Sequence, residues 1–161
     1  MSKAMVTGSF DPVTRGHFAL FELAAHCFDE VVVCVFRNPD KSYMFSEEER
    51  LQMIRQGLLE CGLTNVIADA SDGYAADYAK EHGISFVVRG VRTADDMAYE
   101  LEMARYNQQR NPQMDTLMWA TPIDHREISS TAVRTSLKNG VIPEDLLLPS
   151  VALEIKKILG L

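Results

Sequence analysis

Positive charge is scarce in this chain: Lys and Arg number 16 against 23 Asp and Glu, leaving a formal net charge of −7 over 161 residues. A broad basic surface is therefore missing, and with it non-specific binding to nucleic acid or to an anionic membrane. Any anionic ligand has to meet cations gathered locally. No apolar run reaches the length of a membrane span, and the opening MSKAM leads into a strand-like segment without the apolar stretch of a signal peptide, so a cytosolic location is expected. Cysteine is sparse. Cys27, Cys34 and Cys61 are odd in number, show no C-x-x-C spacing and lie in apolar surroundings, which predicts reduced core thiols rather than a disulfide or a nucleophile. His26, His82 and His125 lack metal-ligand spacing, so no protein-bound metal site is expected. Internal repeats, low-complexity tracts and linkers are also missing, and an apolar fraction of 47% fits one domain over residues 1–161.

What the chain does have is a distinctive stretch from Gly8 to His17, GSFDPVTRGH, which reads as a strand end, a tight polar turn and a helix start. Gly8 permits backbone conformations closed to other residues, Pro12 fixes its own φ, and Gly16 lets a ligand approach the first helical turn. Unpaired N–H groups and the positive end of the dipole make that turn an anion site, to which His17 adds a movable donor. Alone, such a stretch is more readily a capped βα turn with an incidental His.

Short β-branched runs alternate with helical periodicity along the rest of the chain, the pattern of an α/β protein with a parallel sheet and helical crossovers. Strands are expected at residues 4–7, 30–36, 65–68, 85–88 and 116–120, the second being continuously apolar and hence central. Helices are expected from His17 to Phe28, after the capping box Ser46/Glu49, at 74–82, from Thr93 to Arg110 and over 129–138, with an amphipathic tail carrying Val151, Leu153, Ile155, Ile158 and Leu159. In the second helix the apolar stripe runs through Leu51, Ile54, Leu58 and Leu59.

This order brings four polar connections to the carboxyl edge of one sheet, where ligands of open α/β folds bind. They are the Gly8–His17 turn, the loop with Lys41, the Arg89–Arg92 turn and the loop into Ser129, Ser130 and Thr131. Three hydroxyl residues opening a helix, with Arg134 a turn later, can hold a polyphosphate, although alone they cap a helix more often, by roughly four to one. Lys41 alone would be a solvated loop residue. Arg89 and Arg92 could pair with Asp95, Asp96 or Glu100, and Glu100 competes with the neighbouring Glu102 for any role. Convergence favours phosphate chemistry.

With those residues in view, GSFDPVTRGH resembles the T/H-x-G-H signature of the nucleotidylyltransferase superfamily, Thr14 first and His17 last, and ISSTAVR (128–134) is similar to its second signature. NPDKSYMFSEEER, RGVR, Tyr99-Glu100 and Asn107 match, in order and over nearly the whole chain, the phosphopantetheine adenylyltransferase family. The resemblance implies a Rossmann-like, doubly wound five-stranded parallel sheet with helices on both faces and a C-terminal helical tail. It also implies transfer of AMP from ATP to 4′-phosphopantetheine, giving dephospho-coenzyme A and pyrophosphate, with Mg²⁺ carried on the ATP phosphates. Carried over residue by residue, Ser9, Phe10, His17, Gly90, Val91, Arg92, Glu100, His125, Arg126, Glu127, Ile128, Ser129, Ser130 and Thr131 would contact ATP. Ser9, Lys41, Ala75 and Arg89 would contact phosphopantetheine, and His17, Lys41 and Arg92 would be catalytic. A homohexamer and feedback by coenzyme A are further implications.

The chain departs from the family pattern in three places: Val6-Thr7-Gly8-Ser9 replaces Tyr-Pro-Gly-Thr, Ser42-Tyr43 replaces Lys-Pro, and His125–Glu127 lacks the commoner aromatics. Competing expectations are a nucleotidylyltransferase for nicotinamide mononucleotide or a small alcohol phosphate, and a nucleotide-binding regulatory module without turnover.

Overall fold

In the computed structural model, which describes residues 1–161, five strands form one all-parallel sheet. They are β1 (Lys3–Gly8), β2 (Glu30–Phe36), β3 (Val66–Ser71), β4 (Phe86–Val91) and β5 (Asp115–Ala120), in the spatial order β3-β2-β1-β4-β5. Val6 pairs with Val33 on one side and Val88 on the other, so β1 is the central strand; β2, expected there, lies one place out. Its apolar run still has the anticipated cause, burial on both faces. Val31, Val33 and Val35 enter a larger core on one face, and Val32 and Cys34 a smaller core on the other.

Crossover helices cover both faces. They are α1 (Arg15–Cys27), α2 (Glu47–Glu60), α3 (Ala75–Glu81), α4 (Ala94–Arg110), α5 (Ser130–Lys138) and the tail helix α6 (Pro149–Leu159). α6 packs on α2, beginning with Pro149 in its first turn and ending at Gly160, whose φ of 71° closes the helix as only glycine does at little cost. The chain runs outward from β1 through β2 to β3, then returns to lay β4 against the opposite edge of β1. The carboxyl ends of β1 and β4 therefore diverge at a topological switch point, the place where an open α/β sheet offers a crevice.

Several side chains turn out differently from the periodicity. Cys27 is exposed rather than a core thiol: Ala24 and Phe28 carry the packed stripe of α1, and Cys27 falls off it. Leu59 is 75% exposed, because Leu51, Ile54 and Leu58 with Met53 and Gly57 form the buried face of α2. In α6 the stripe is Val151, Ala152 and Ile155, with Leu153 and Leu159 facing outward. The polar connection after β5 contains a short 3₁₀ turn, Ile123–His125.

At Gly57, α2 lies directly against the Phe18 ring of α1. A Cβ built there would lie 2.0 Å from Phe18 Cζ, with two further ring atoms at 2.6 and 2.7 Å, and Phe18 is itself buried in the core. Gly57→Ala gains about 1 kcal/mol of helix propensity yet forces α1 and α2 apart, an overpacking cost of about 1–3 kcal/mol. We expect a net loss of stability, read as a lower urea midpoint at unchanged slope.

Candidate active site

Two buried charges shape the turn after β1. The Asp11 carboxylate, 4% exposed, accepts the backbone N–H groups of Met44 and Phe45 at 2.8 and 2.9 Å, fixing the chain that enters α2. Arg50, 2% exposed, reaches back from α2 and donates to the Ser9 carbonyl at 2.8 Å and the Ser46 carbonyl at 3.3 Å. Its guanidinium lies 4.2 Å from the Tyr43 ring centroid, and the Tyr43 hydroxyl accepts the Asn38 N–H at 2.8 Å. The departure Ser42-Tyr43 thus supplies an aromatic latch that closes the Lys41 loop. From the far side, Arg134 donates to the Asp11 carbonyl and Ser130 Oγ to the Pro12 carbonyl, both at 2.8 Å. Arg134 ties α5 to the turn and also donates to Thr131 Oγ1 at 3.2 Å.

Gly8 is needed for space rather than for unusual torsions. A Cβ there would stand 3.0–3.3 Å from the Phe10 ring, while the left-handed residue of the turn is Phe10 itself, with φ of 47°. Phe10 is buried, edge-on to His17 at 5.0 Å and to Phe21 at 5.5 Å, which fixes its ring under the histidine. Packing therefore holds the strained backbone.

α1 begins two residues earlier than the periodicity predicts, and that shift explains His17. With Thr14 as N-cap, His17 occupies the third helical position and its Nδ1 accepts the Thr14 N–H at 3.0 Å, the part a Glu or Gln takes in a capping box. An accepting Nδ1 puts the proton of the neutral ring on Nε2. Burial, then the nearby guanidinium groups of Arg89 and Arg92, lower the His17 pKa from 6.5 to about 4. The ring at neutral pH is an uncharged donor held in one orientation.

Two cavities of about 510 and 520 Å³ open at the switch point. The first gathers Phe10, His17, Gly90, Arg92 and Glu100 with His125 and the run Ile128–Thr131, so ten of the residues expected at ATP line one space. Ser9, Lys41, Ala75 and Arg89, the four expected at the acceptor, line the second. Ser9 was expected at both ligands and lines only the acceptor side; Val91, Arg126 and Glu127 line neither. Arg126 instead reaches the Arg92 carbonyl at 3.4 Å. His125 lines the nucleotide-side cavity, and its Nδ1 is buried without a hydrogen-bond partner in the protein. The α5 amino terminus is capped by Ser129 Oγ, which accepts the Ala132 N–H at 3.1 Å, leaving the earlier N–H groups of the first turn facing the cavity.

The cavities share Thr7, Gly8, Arg89, Tyr99 and Glu100. Arg89 forms a two-point pair with the buried Glu100 at 2.9 and 2.8 Å and donates to the Thr7 carbonyl and to Thr7 Oγ1, leaving one of its five N–H groups uncommitted. Glu100 rather than Glu102 is the carboxylate of the site; Glu102 is exposed and bound to Arg105 at 2.8 Å. Arg92 is half-exposed and pairs with Asp96 at 3.5 Å. Thr7, Tyr99, Trp119 and Thr121 also line the nucleotide-side cavity, beyond the residues expected there. Thr7, Trp119 and Thr121 stand at or just beyond the carboxyl ends of β1 and β5, and that position was the signal that could have found them.

Residues 5–136 match the Cytidylyltransferase-like family. The chain is 38% identical over 157 residues to a phosphopantetheine adenylyltransferase of Symbiobacterium thermophilum, covering 98% of this chain and 96% of that one. A phosphopantetheine adenylyltransferase of Coprothermobacter proteolyticus is 32% identical with the same two coverages. Among solved structures, a bifunctional NMN adenylyltransferase/ADP ribose pyrophosphatase from Francisella tularensis superposes with a TM-score of 0.75 at 17% identity, over 99% of this chain and 49% of that one, a likeness of fold alone. The signatures around His17 and Ser129, and the extent of these matches, agree: the chain belongs to the Cytidylyltransferase-like family and, within it, to the phosphopantetheine adenylyltransferases.

Proposed function

We propose that the chain transfers the adenylyl group of ATP to 4′-phosphopantetheine, giving dephospho-coenzyme A and pyrophosphate, the penultimate step of coenzyme A synthesis. The observation that carries this reading is the pair of cavities meeting at Thr7, Gly8 and Arg89, one bordered by His17 and a helix amino terminus, the other by Lys41. Two anionic substrates need two spaces that touch where the bond forms.

An acceptor phosphate oxygen is a competent nucleophile and pyrophosphate a good leaving group, so positioning and charge stabilisation suffice without a covalent intermediate. The acceptor oxygen attacks the α-phosphorus in line, and the bond to the bridging oxygen breaks. His17 Nε2–H and Lys41 donate to the α-phosphate as charge builds there. Arg92 and the free N–H groups opening α5 receive the leaving phosphates. Arg89, engaged by Glu100 and Thr7, is held rigid between the substrates with its remaining N–H for the acceptor phosphate.

Mg²⁺ enters this reading with the ATP phosphates. No group of three or more His, Cys, Asp or Glu side chains forms a cage, and Glu100 and Asp96 are paired with arginines, whereas Mg²⁺ on phosphates and water needs few protein ligands. Coenzyme A, which shares the pantetheine arm, would compete for the acceptor cavity. For a homohexamer, Met97 and Leu101 on α4 are exposed apolar residues one turn apart, suited to a contact between copies. No helix is long and apolar enough to cross a membrane.

The decisive assay supplies ATP, Mg²⁺ and 4′-phosphopantetheine and follows dephospho-coenzyme A by mass. Product is expected there and not with nicotinamide mononucleotide or with CTP as donor; ATP binding without pyrophosphate release would replace the enzyme by a binding module. His17→Ala should lower kcat by about 10² to 10³ with a smaller effect on ATP binding, the range for losing one preorganised donor. Near-normal turnover would remove His17 from the chemistry.

A third expectation concerns pH. Because the His17 pKa is lowered from 6.5 to about 4, an NMR titration of its ring should show it neutral through 6.5 and protonating only near 4, with Arg92→Gln moving the midpoint upward. The unfolded chain takes up that proton first, so this group costs stability as pH falls from 6.5 towards 4 and contributes no such dependence above that window. A midpoint close to 6.5 in the folded protein would contradict the uncharged-donor role.

A further inference from the structure

The outer end of the acceptor cavity is built from the first turn of α3 and the last turns of α4, and one side chain joins them. Gly73, Tyr74 and Ala75 line the cavity from α3, and Tyr106 and Asn107 from α4; none of these borders the nucleotide cavity. α3 has only seven residues, and its N-cap, Tyr74, makes no side-chain capping bond. Little in the helix itself holds that turn. Arg110, the last residue of α4, takes over. Its guanidinium lies 4.0 Å from the Tyr74 ring centroid and grips the Asp77 carboxylate at two points, Nε to Oδ1 at 2.8 Å and Nη2 to Oδ2 at 2.7 Å. The next residue, Asn111, is buried and donates to the Ala76 carbonyl at 3.2 Å. The opposite partner of Tyr74 is Tyr106, ring centroids 6.1 Å apart and tilted by 49°. Tyr74 and Tyr106 are 53% and 42% exposed, so two aromatic rings stand at the cavity mouth, and the Arg110 bracket fixes the Tyr74 ring against the end of α4.

A planar fork that stacks on a ring and binds a carboxylate at two points imposes a geometry that a lysine or an amide cannot. A mouth fixed in advance loses less freedom when it closes over a flexible ligand arm. Resting on the adenylyl-transfer reading, we propose that Arg110 is a positioning residue that, through Tyr74 and Asp77, sets the outer wall of the acceptor cavity and so selects for the thiol-bearing end of the pantetheine arm. The arm's phosphate end is served by Lys41 and Arg89, and its distal end by this bracket.

The test separates the two ends. In the wild-type enzyme, 4′-phosphopantetheine is compared with 4′-phosphopantothenate, which lacks the terminal cysteamine. Arg110→Gln should raise KM for phosphopantetheine about ten-fold, the scale of freeing one or two ordered side chains, while kcat, KM for ATP and KM for the truncated acceptor stay within about two-fold. Arg110→Lys should behave like Arg110→Gln, and Tyr74→Ala should reproduce the loss. Calorimetric binding of phosphopantetheine gives the same comparison without turnover. An unchanged KM in Arg110→Gln and Tyr74→Ala, an equal loss for the truncated acceptor, or full function in Arg110→Lys would each overturn the proposal. A wild-type protein that makes no dephospho-coenzyme A would instead overturn the reading on which it rests. Tyr74→Ala keeps the inference testable if Arg110→Gln unfolds, since Tyr74 is an exposed side chain outside the core.

Discussion

The buried carboxylate of Asp11 is the constraint from which the site follows. A carboxylate removed from water must be given hydrogen bonds, and this one receives them from two consecutive N–H groups, Met44 and Phe45, more than thirty residues downstream. That requirement welds the turn after β1 to the start of α2. Arg50 closes the same joint in the other direction, from α2 to the Ser9 carbonyl, and Arg134 and Ser130 attach α5 to it. Lys41, His17 and the α5 amino terminus belong to three separate connections, yet all three are referred to one short turn. Their relative placement is fixed by hydrogen bonds between buried or half-buried side chains and the backbone of that turn and of the chain entering α2.

Charge is handled in the same economical way. A chain with net charge −7 concentrates cations where the sheet opens and lets several of them neutralise carboxylates already in the protein. Arg89 is mostly consumed by Glu100 and Thr7, and burial, aided by the residual field of Arg89 and Arg92, keeps a proton off His17. The imidazole consequently offers a hydrogen bond without a charge of its own. Rigid donors and a neutral ring suit a reaction whose charge appears only as the bond is made.

Much of this was legible in the residues themselves. β2 could be read to the residue because its six positions after Glu30 are apolar and bury both faces, and the capping box at Ser46 marked a helix start. Lys41, Arg89 and Arg92 could be placed at one sheet edge because each stands at or beyond the carboxyl end of a strand, Arg89 within the last residues of β4 itself. What stayed hidden depends on partners distant in sequence. Cys27 and Leu59 look apolar enough to be buried, but burial is decided by which neighbour occupies the stripe. Gly8 suggested unusual torsions, whereas the ring of Phe10 pressing on it is visible only in three dimensions. Arg50 reads as an ordinary helix cation, and nothing local reveals that its target is a carbonyl 41 positions earlier. The division of the site into two spaces came only from the family resemblance, which sorted the residues by ligand; no local pattern shows it, since the same few residues border both.

That common border has a consequence for how such a protein can diverge. Thr7, Gly8 and Arg89 border both cavities, so a change there that reshapes one cavity reshapes the other with it. Residues that border a single cavity, Trp119 and His125 on one side or Tyr74 and Tyr106 on the other, escape that coupling. New substrate preferences should therefore arise at the two outer ends of the site, while the wall between them drifts least.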